Sequence, residues 1–461
     1  MSTSTLTRER TGWAVAAVWA LVCAVLYTTL AVLRHRRLVP TSWDNAIFEQ
    51  ALRGYADLGW PIVDIKGPGF NLLGDHFHPI VAVLAPAYRV APTAETLLVA
   101  QALLLAWSVL VITALAVRHL GTRFGTAMGV AYGLSFGLVN AVAAQFHEVA
   151  FAAPLLALAG SAYVERRWRA LVLWTLPLLL VKEDLGLTVA VVGLVVWSVG
   201  ERRRGLFLGV LGVVTTAVVV LVVLPAFNPS GAYDYTGNVG GEAGVVITFF
   251  TDVERKLLTV LLTFAVTGLA ALLSRWALLV VPTFAWRFVG DVEFYWGIEW
   301  HYSLVLMPIV FVAAIDAMRR QPGLRWASVP ALVVTVVLLV GGPMGDLLRG
   351  DLWREGPREA AAARVIAQIP DDASVVTDIG LITYLGTERQ VFWLGTVGDA
   401  DPDHVLLDQL GGYGSPEDVL AYATSTFGGA WELVADEAGF QLAARTDAVS
   451  LARVAPGPGP G

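Results

Sequence analysis

The chain has 461 residues, 56% of them hydrophobic and 15% charged, with a formal net charge of −7 and a mean hydropathy of +0.65. Soluble domains carry about a quarter charged residues, so the composition excludes an ordinary soluble protein and points to a polytopic membrane protein. The single cysteine, Cys23, excludes an intramolecular disulfide and a cysteine-built zinc site, and no basic patch on a soluble module suggests a nucleic-acid partner.

MSTSTLTRERTGW is short and basic ahead of an apolar run at about 13–33. That run has the length of a full span, and RHRR follows it rather than a small-residue cleavage site. An uncleaved first membrane helix is therefore expected. Further spans are expected at roughly 96–117, 123–143, 148–164, 169–182, 184–199, 205–225, 256–273, 276–290, 302–318 and 326–343, about eleven in all. HPIVAVLAPAYRVAP (78–92) is too short and too proline-broken to span, and reads as a re-entrant or interfacial segment.

With the N-terminus in the cytoplasm, RHLGTR (118–123), ERRWR (165–169), ERRRG (201–205), SRW (274–276) and MRRQPGLR (318–325) fall inside. The positive-inside bias requires that, and only Arg34, Arg36 and Arg37 disagree. The outer side then collects SWDNAIFEQ (42–50), VDIKGPGFNLLGDHFHP (63–79), QFHEVA (145–150), VKEDLG (181–186), AFNPSGAYDYTGN (226–238) and DVEFYWGIEWHY (291–302). Most histidines and membrane-proximal acids thus converge on one extracytoplasmic face. The spans on either side of Lys182, Glu183 and Asp184 are short. About fourteen helical residues rise about 20 Å, against a hydrocarbon core near 30 Å. The three charges are expected below the outer lipid–water boundary, where each costs a few kcal/mol, roughly, unless paired or wet. A recessed aqueous cavity resolves this.

From about 350 to 456 the chain is expected to form a soluble, acidic, extracytoplasmic α/β domain, after a membrane domain over 1–345. PREAAAARVIAQIP (357–369) reads as a helix, SVVTD (374–378) as a strand, and GLITYLG as a helix or turn. QVFWLG and HVLLDQ (404–409) read as strands. SPEDVLAYATSTFG (415–428) reads as a helix opened by a Ser-x-x-Asp capping box, and WELVADEAGFQLAAR as a closing hairpin around Asp436–Gly439. Alternating strand and helix suggests a partly parallel sheet. APGPGPG is expected as a tail whose last residues, 457–461, are disordered. No internal sequence repeat supports an inverted-repeat transporter.

SWDNAIFEQAL, LGDHFHPIVAVLAP, QFHEVAFAAPLLALA, LLLVKEDLGLTVA and HYSLVLMPIVFVAAI occur in this order, followed in the tail by IPDDASVVTD and DHVLLDQ. Together they resemble the polytopic bacterial family catalogued as domain of unknown function 2079, itself similar to the GT-C glycosyltransferases. That resemblance implies a multi-helix membrane fold with a C-terminal soluble domain, a sugar donor carried on polyprenyl phosphate, and an acidic residue in the first large outer loop. Asp44 stands at that position. The acidic pair common in GT-C enzymes is absent, the near neighbours being Asn45 and Glu49.

Each candidate has a plainer alternative. Asp44 can serve as the base that takes a proton from an acceptor hydroxyl, or help hold a divalent cation; the plainer role is capping the helix that AIFEQAL begins. Glu49 is a pairing or solvated residue if it is not part of the site. Lys182 can bind a donor phosphate as a point charge with Glu183 or Asp184 orienting it, or the three can simply neutralise one another between helix ends. In Asp75–His76–Phe77–His78 the two histidines share one face of an extended segment, a spacing that can ligate metal with Asp75 or His147; loop hydrogen bonding is the commoner fate. His147 and Glu148, and Glu299, His301 and Tyr302, start outer-leaflet helices, where polar and aromatic residues are ordinary. Lys66 is a further phosphate partner, although KGPG lacks the ending of a P-loop.

The combined expectation is a multi-pass plasma-membrane glycosyltransferase. It moves a sugar from a polyprenyl-phosphate donor to an acceptor of the cell envelope, with Asp44 as base and Lys182 on the phosphate. It needs membrane lipid but no nucleic acid and no certain cofactor, a divalent cation being left open. The rivals are a transporter or flippase of a lipid-linked or polar solute, which the same cavity would serve, and a non-catalytic membrane scaffold.

Overall fold

A helix that is apolar on every side has no face to offer water, so it ends in a protein core or against lipid. The computed structural model describes residues 3–39, 42–386, 388–411 and 414–446. The expected disordered tail, 457–461, lies outside the described residues. The chain divides into two compact units. One comprises Met1–Val32, Leu73–Leu84 and Leu98–Leu348, the other Leu33–Leu72, Ala85–Leu97 and Arg349–Gly461.

The first unit is helical. Among the described residues five helices are long and apolar enough to cross a membrane: Gly12–Arg36, Ala94–Leu120, Thr122–Ala143, Arg202–Phe227 and Pro322–Val340. Glu293–Ser303 and Leu306–Arg320, bent by 66°, make a sixth if taken as one span. Glu148–Val164, Trp168–Leu180 and Leu185–Ser198 are shorter apolar helices, as is Pro79–Val90 in the segment read as re-entrant. Length alone therefore admits fewer spans than the eleven expected. The span expected at 256–273 is broken after helix Val253–Ala265, where Gly268 and Leu269 take φ +58° and +63°. A Cβ on Gly268 would lie 2.2 Å from the Ala327 carbonyl oxygen, so glycine alone fits that close approach.

Burial sorts the helices. Leu306–Arg320 is buried at every position through Met318, and Ala152–Val164 at every position but Leu158. These form the centre. Arg202–Phe227 and Pro322–Val340 have only 17% of their most apolar windows buried, leaving valine and leucine faces outward, suited to lipid. Glycines bring two neighbouring helices together: a Cβ on Gly193 would meet the Gly209 nitrogen at 2.4 Å and the Gly205 carbonyl oxygen at 2.6 Å. Small residues at helix contacts are how membrane helices gain close packing without a hydrophobic drive between them.

The second unit is built on a five-stranded sheet. Strands β1 (Ser374–Thr377), β2 (Gln390–Trp393), β3 (His404–Asp408), β4 (Trp431–Glu437) and β5 (Phe440–Arg445) lie in the order β2-β1-β3-β5-β4. β1 is parallel to β2 and β3, and β5 is antiparallel to β3 and β4. Val376, Phe392, Val405 and Leu407 pack with Val419 and Ala423 of helix Val419–Phe427. The cap of that helix is Asp418, whose side chain accepts from the Leu420 and Ala421 amides. The Ser-x-x-Asp box expected from sequence does not form: its aspartate, three residues after Ser415, is itself the cap.

Residues 33–72 and 85–97 group with this sheet. Edge strand β2 is covered by them: Gln50 Nε2 donates to the Val391 carbonyl at 2.9 Å and Gln390 Nε2 to Asp64 at 2.8 Å. Thr396 Oγ1 donates to the Ile65 carbonyl at 2.6 Å. Covering an edge removes a template for aggregation.

Candidate functional site

Lys182, Glu183 and Asp184 sit in the break between helices Trp168–Leu180 and Leu185–Ser198. With no regular structure to align them, three consecutive side chains leave in three directions. Lys182 Nζ pairs with Glu148 Oε1 at 2.8 Å, and the Glu148 side chain is 3% exposed, so the pair is largely out of water. Glu183 turns the other way. Its carboxylate meets His76 Nδ1 at 2.6 Å and accepts from the Phe77 amide at 3.0 Å and the Tyr233 hydroxyl at 2.9 Å.

Burial raises the Glu183 carboxyl, but the facing His76 and Lys182 charges outweigh it, and its pKa falls below the ordinary carboxylate range. Burial and Lys182 depress the His76 imidazole; Glu183 and Asp75 outweigh them, and its pKa ends above its ordinary value. Tyr235 stacks on His76 with ring centroids 4.4 Å apart, and its hydroxyl donates to Asp75 at 3.1 Å. His78 is buried and lies in the field of Glu148.

Asp184 faces a third neighbourhood. Together with Lys182, Val149, Thr283, Trp286, His301, Tyr302 and Val305 it lines a small cavity of about 20 Å³. Three polar atoms on these walls, Asp184 Oδ1, Thr283 Oγ1 and Trp286 Nε1, are buried and have no hydrogen-bond partner among the described residues. A buried polar atom left unsatisfied costs about 1–3 kcal/mol, and such a group in a native fold calls for an explanation. All three face a cavity with room for about one water-sized polar group. His301 stacks on His147 with centroids 3.5 Å apart, and the His147 amide donates to Gln101 Oε1 at 2.9 Å.

The structure thus joins Asp75, His76, His78, His147, Glu148, Lys182, Glu183, Asp184, His301 and Tyr302 through contacts within one unit. Glu299 stands apart: its carboxylate pairs with Arg255 at 3.1 Å and its side chain is 58% exposed. Asp44, Glu49 and Lys66 belong to the other unit. Asp44 opens helix Asp44–Ala56, where its amide donates to Ser42 Oγ at 3.4 Å. Glu49 is buried beside the Tyr88 hydroxyl at 3.4 Å, and burial pushes its pKa up to about 8. Lys66 Nζ lies 5.2 Å from the centroid of the Trp43 ring. Among the described residues no group of three or more His, Cys, Asp or Glu side chains is placed to hold a metal ion. The Asp75–His76–Phe77–His78 run is therefore not a metal set in this arrangement; His76 is taken by Glu183.

Sequence reading missed Tyr233, Tyr235, Thr283 and Trp286. The tyrosines were visible in an outer loop, AYDYTGN, and went unremarked. It also missed Arg287, which is fully buried in an apolar helix and donates to the Tyr295 carbonyl at 2.7 Å and to Ser303 Oγ at 3.2 Å. A lone arginine inside a span was the signal, because charges at that depth are rare unless paired.

Bundle, pocket and appended sheet define a polytopic helical membrane protein of GT-C-like fold with a small C-terminal α/β domain. The sequence matches the family model described as "Predicted membrane protein (DUF2079)" over residues 34–442, and the chain belongs to that family. Its fold is similar to the crystal structure of ArnT from Cupriavidus metallidurans bound to undecaprenyl phosphate. The TM-score is 0.57 and the identity 14%, over 94% of this chain and 98% of that one. No curated protein matches it.

Proposed function

We propose that this protein is a membrane glycosyltransferase of GT-C type, which transfers a sugar from a polyprenyl-phosphate donor to an extracytoplasmic acceptor. The observation that carries this reading is the buried charged cluster around Lys182, beside which Asp184 Oδ1, Thr283 Oγ1 and Trp286 Nε1 have no hydrogen-bond partner among the described residues. The fold supports it, because the similar ArnT structure holds undecaprenyl phosphate. In the proposed reaction the acceptor hydroxyl oxygen bonds to the anomeric carbon. The bond from that carbon to the phosphate oxygen breaks, and polyprenyl phosphate leaves. The hydroxyl proton passes to a carboxylate base, a role proposed for Asp44 from its place in the first large outer loop of the sequence. A single displacement inverts the anomeric centre. Lys182 faces the negative phosphate, with Glu148 holding its ammonium.

The test is reconstitution of the full chain in vesicles with radiolabelled polyprenyl-phosphate sugars. Asp44→Asn is expected to lower transfer by roughly 10²–10⁴-fold, the usual contribution of a general base. Thr283→Val removes a hydroxyl that bonds nothing among the described residues. It should leave thermal stability unchanged or higher and still weaken donor binding by about tenfold. Solute flux with no sugar transfer, or full transfer by Asp44→Asn, would overturn the proposal.

A further inference from the structure

The helices that end at the Lys182 pocket have other ends, and these too converge. Glu148–Val164, Trp168–Leu180, Leu185–Ser198 and Leu306–Arg320 each start or finish beside Lys182, Asp184 or His301. Some 13 to 17 residues away, a rise of about 20–25 Å, they meet again around a second pocket of about 270 Å³. Four guanidinium groups line it, those of Arg166, Arg275, Arg319 and Arg320, against the single carboxylate of Asp316. That carboxylate is already shared: Arg319 and Arg320 each reach it at 3.1 Å and Ser274 Oγ donates to it at 2.7 Å. Arg275 donates to the Ser198 carbonyl at 2.8 Å. Among the described residues neither Arg166 nor Arg275 pairs with a carboxylate. Arg166 also holds φ at +55°, an uncommon backbone state for a side chain of this size. The pocket therefore presents positive charge that the described residues do not neutralise.

Its surroundings say what would. Trp168 lines it, as tryptophan does at the lipid headgroup level. Val199 lines it too, and two residues earlier Trp197 lines an apolar groove with Leu194, Leu206 and Val210, all 45% exposed or more. Charge and groove are continuous along one helix end. We propose that Arg166, Arg275, Arg319 and Arg320 bind the phosphate headgroup of an anionic membrane phospholipid whose acyl chain lies in the Leu194–Trp197 groove. Basic pockets between helices at a membrane face attract such headgroups. The headgroup pins the ends of the helices that frame the Lys182 pocket.

Native mass spectrometry of the purified full chain tests this, with phosphatidylglycerol, phosphatidylcholine and inorganic phosphate as separate additions. Phosphatidylglycerol is expected to bind at least about tenfold more tightly than phosphatidylcholine. Arg166→Gln with Arg275→Gln should remove that preference, because two of the four charges are lost. Arg202→Gln with Arg203→Gln, exposed arginines outside the pocket, should preserve it. If the first pair lowers thermal stability in phosphatidylcholine, Arg166→Gln alone carries the test, since that side chain is exposed. Equal loss with both pairs, no loss with the first, or displacement of the lipid by millimolar inorganic phosphate overturns the proposal.

Discussion

At the scale of single residues, environment and not residue type separates the carboxylates of this protein. Glu183 is buried yet faces His76 and Lys182, and stays ionised. Glu49 is buried with only a tyrosine hydroxyl for company and rises to about 8 from an ordinary 4.5. Between those two values the folded chain holds a proton on Glu49 that the unfolded chain has released. Stability from this group is present below about pH 4.5 and lost as pH rises through about 8. Glu49→Gln keeps the neutral form at every pH. Thermal melting from pH 5 to 9 should show the unchanged protein losing stability with pH and the variant losing less; parallel curves would refute the assignment. The sequence could name Glu49 as a candidate but not its state, because burial comes from Tyr88 and from the strand Gln390–Trp393, far along the chain. Likewise the Lys182-Glu183-Asp184 run was conspicuous in sequence, while its three separate destinations depended on Glu148, His76 and the pocket wall. Of the other candidates, Glu299 pairs on the surface with Arg255.

At the scale of elements, the apolar runs were legible and their lengths were not. Leucine and valine content marks a helix in lipid, but breaks such as Gly268–Leu269 and the bend before Leu306 are set by neighbours. Glycine offers a sharp contrast here. On helix Leu185–Ser198, a Cβ at Gly193 would strike backbone atoms of the facing helix at 2.4 and 2.6 Å, whereas one at Gly209 on the facing helix would come no nearer than 4.0 Å to the Ala190 carbonyl oxygen. Gly193→Ala is expected to cost about 1–3 kcal/mol through overpacking. Gly209→Ala should be neutral or stabilising by up to about 1 kcal/mol from helix propensity. Melting temperatures in detergent, compared side by side, check this; equal effects would mean that the two helices do not pack as described. In the α/β unit, strands and helices fell near their expected places because alternation and turn residues act locally. The docking of 33–72 and 85–97 onto that sheet has no local signal.

At the scale of the whole molecule, the arginine loops gather at one end of the short helices and the acid–histidine cluster at the other. Arg118 and Arg167 share Glu165, and Arg320 donates to the Leu273 carbonyl at 2.7 Å, so those loops are joined to one another. From the positive-inside bias we propose that this end faces the cytoplasm. The single native cysteine, Cys23, is buried, which makes labelling informative. Arg203→Cys should react with a membrane-impermeant maleimide only after the membrane is opened, and Glu417→Cys should react in intact cells. Labelling of both from the same side would reverse the assigned orientation.

Sequence alone determined the solvent of this protein and the kinds of side chain available to a site. Apolar runs of span length, arginine-rich short loops and an alternating acidic tail follow from local composition, which transfer energies and charge bias read directly. Tertiary structure decided which candidates meet. Lys182 reaches Glu148, Glu183 reaches His76, and Asp184 shares a pocket with residues more than ninety positions away, and contacts of that kind have no periodicity to betray them. It also decided which polar atoms the fold leaves unsatisfied, because a missing partner is a property of the packed chain and of no residue taken singly.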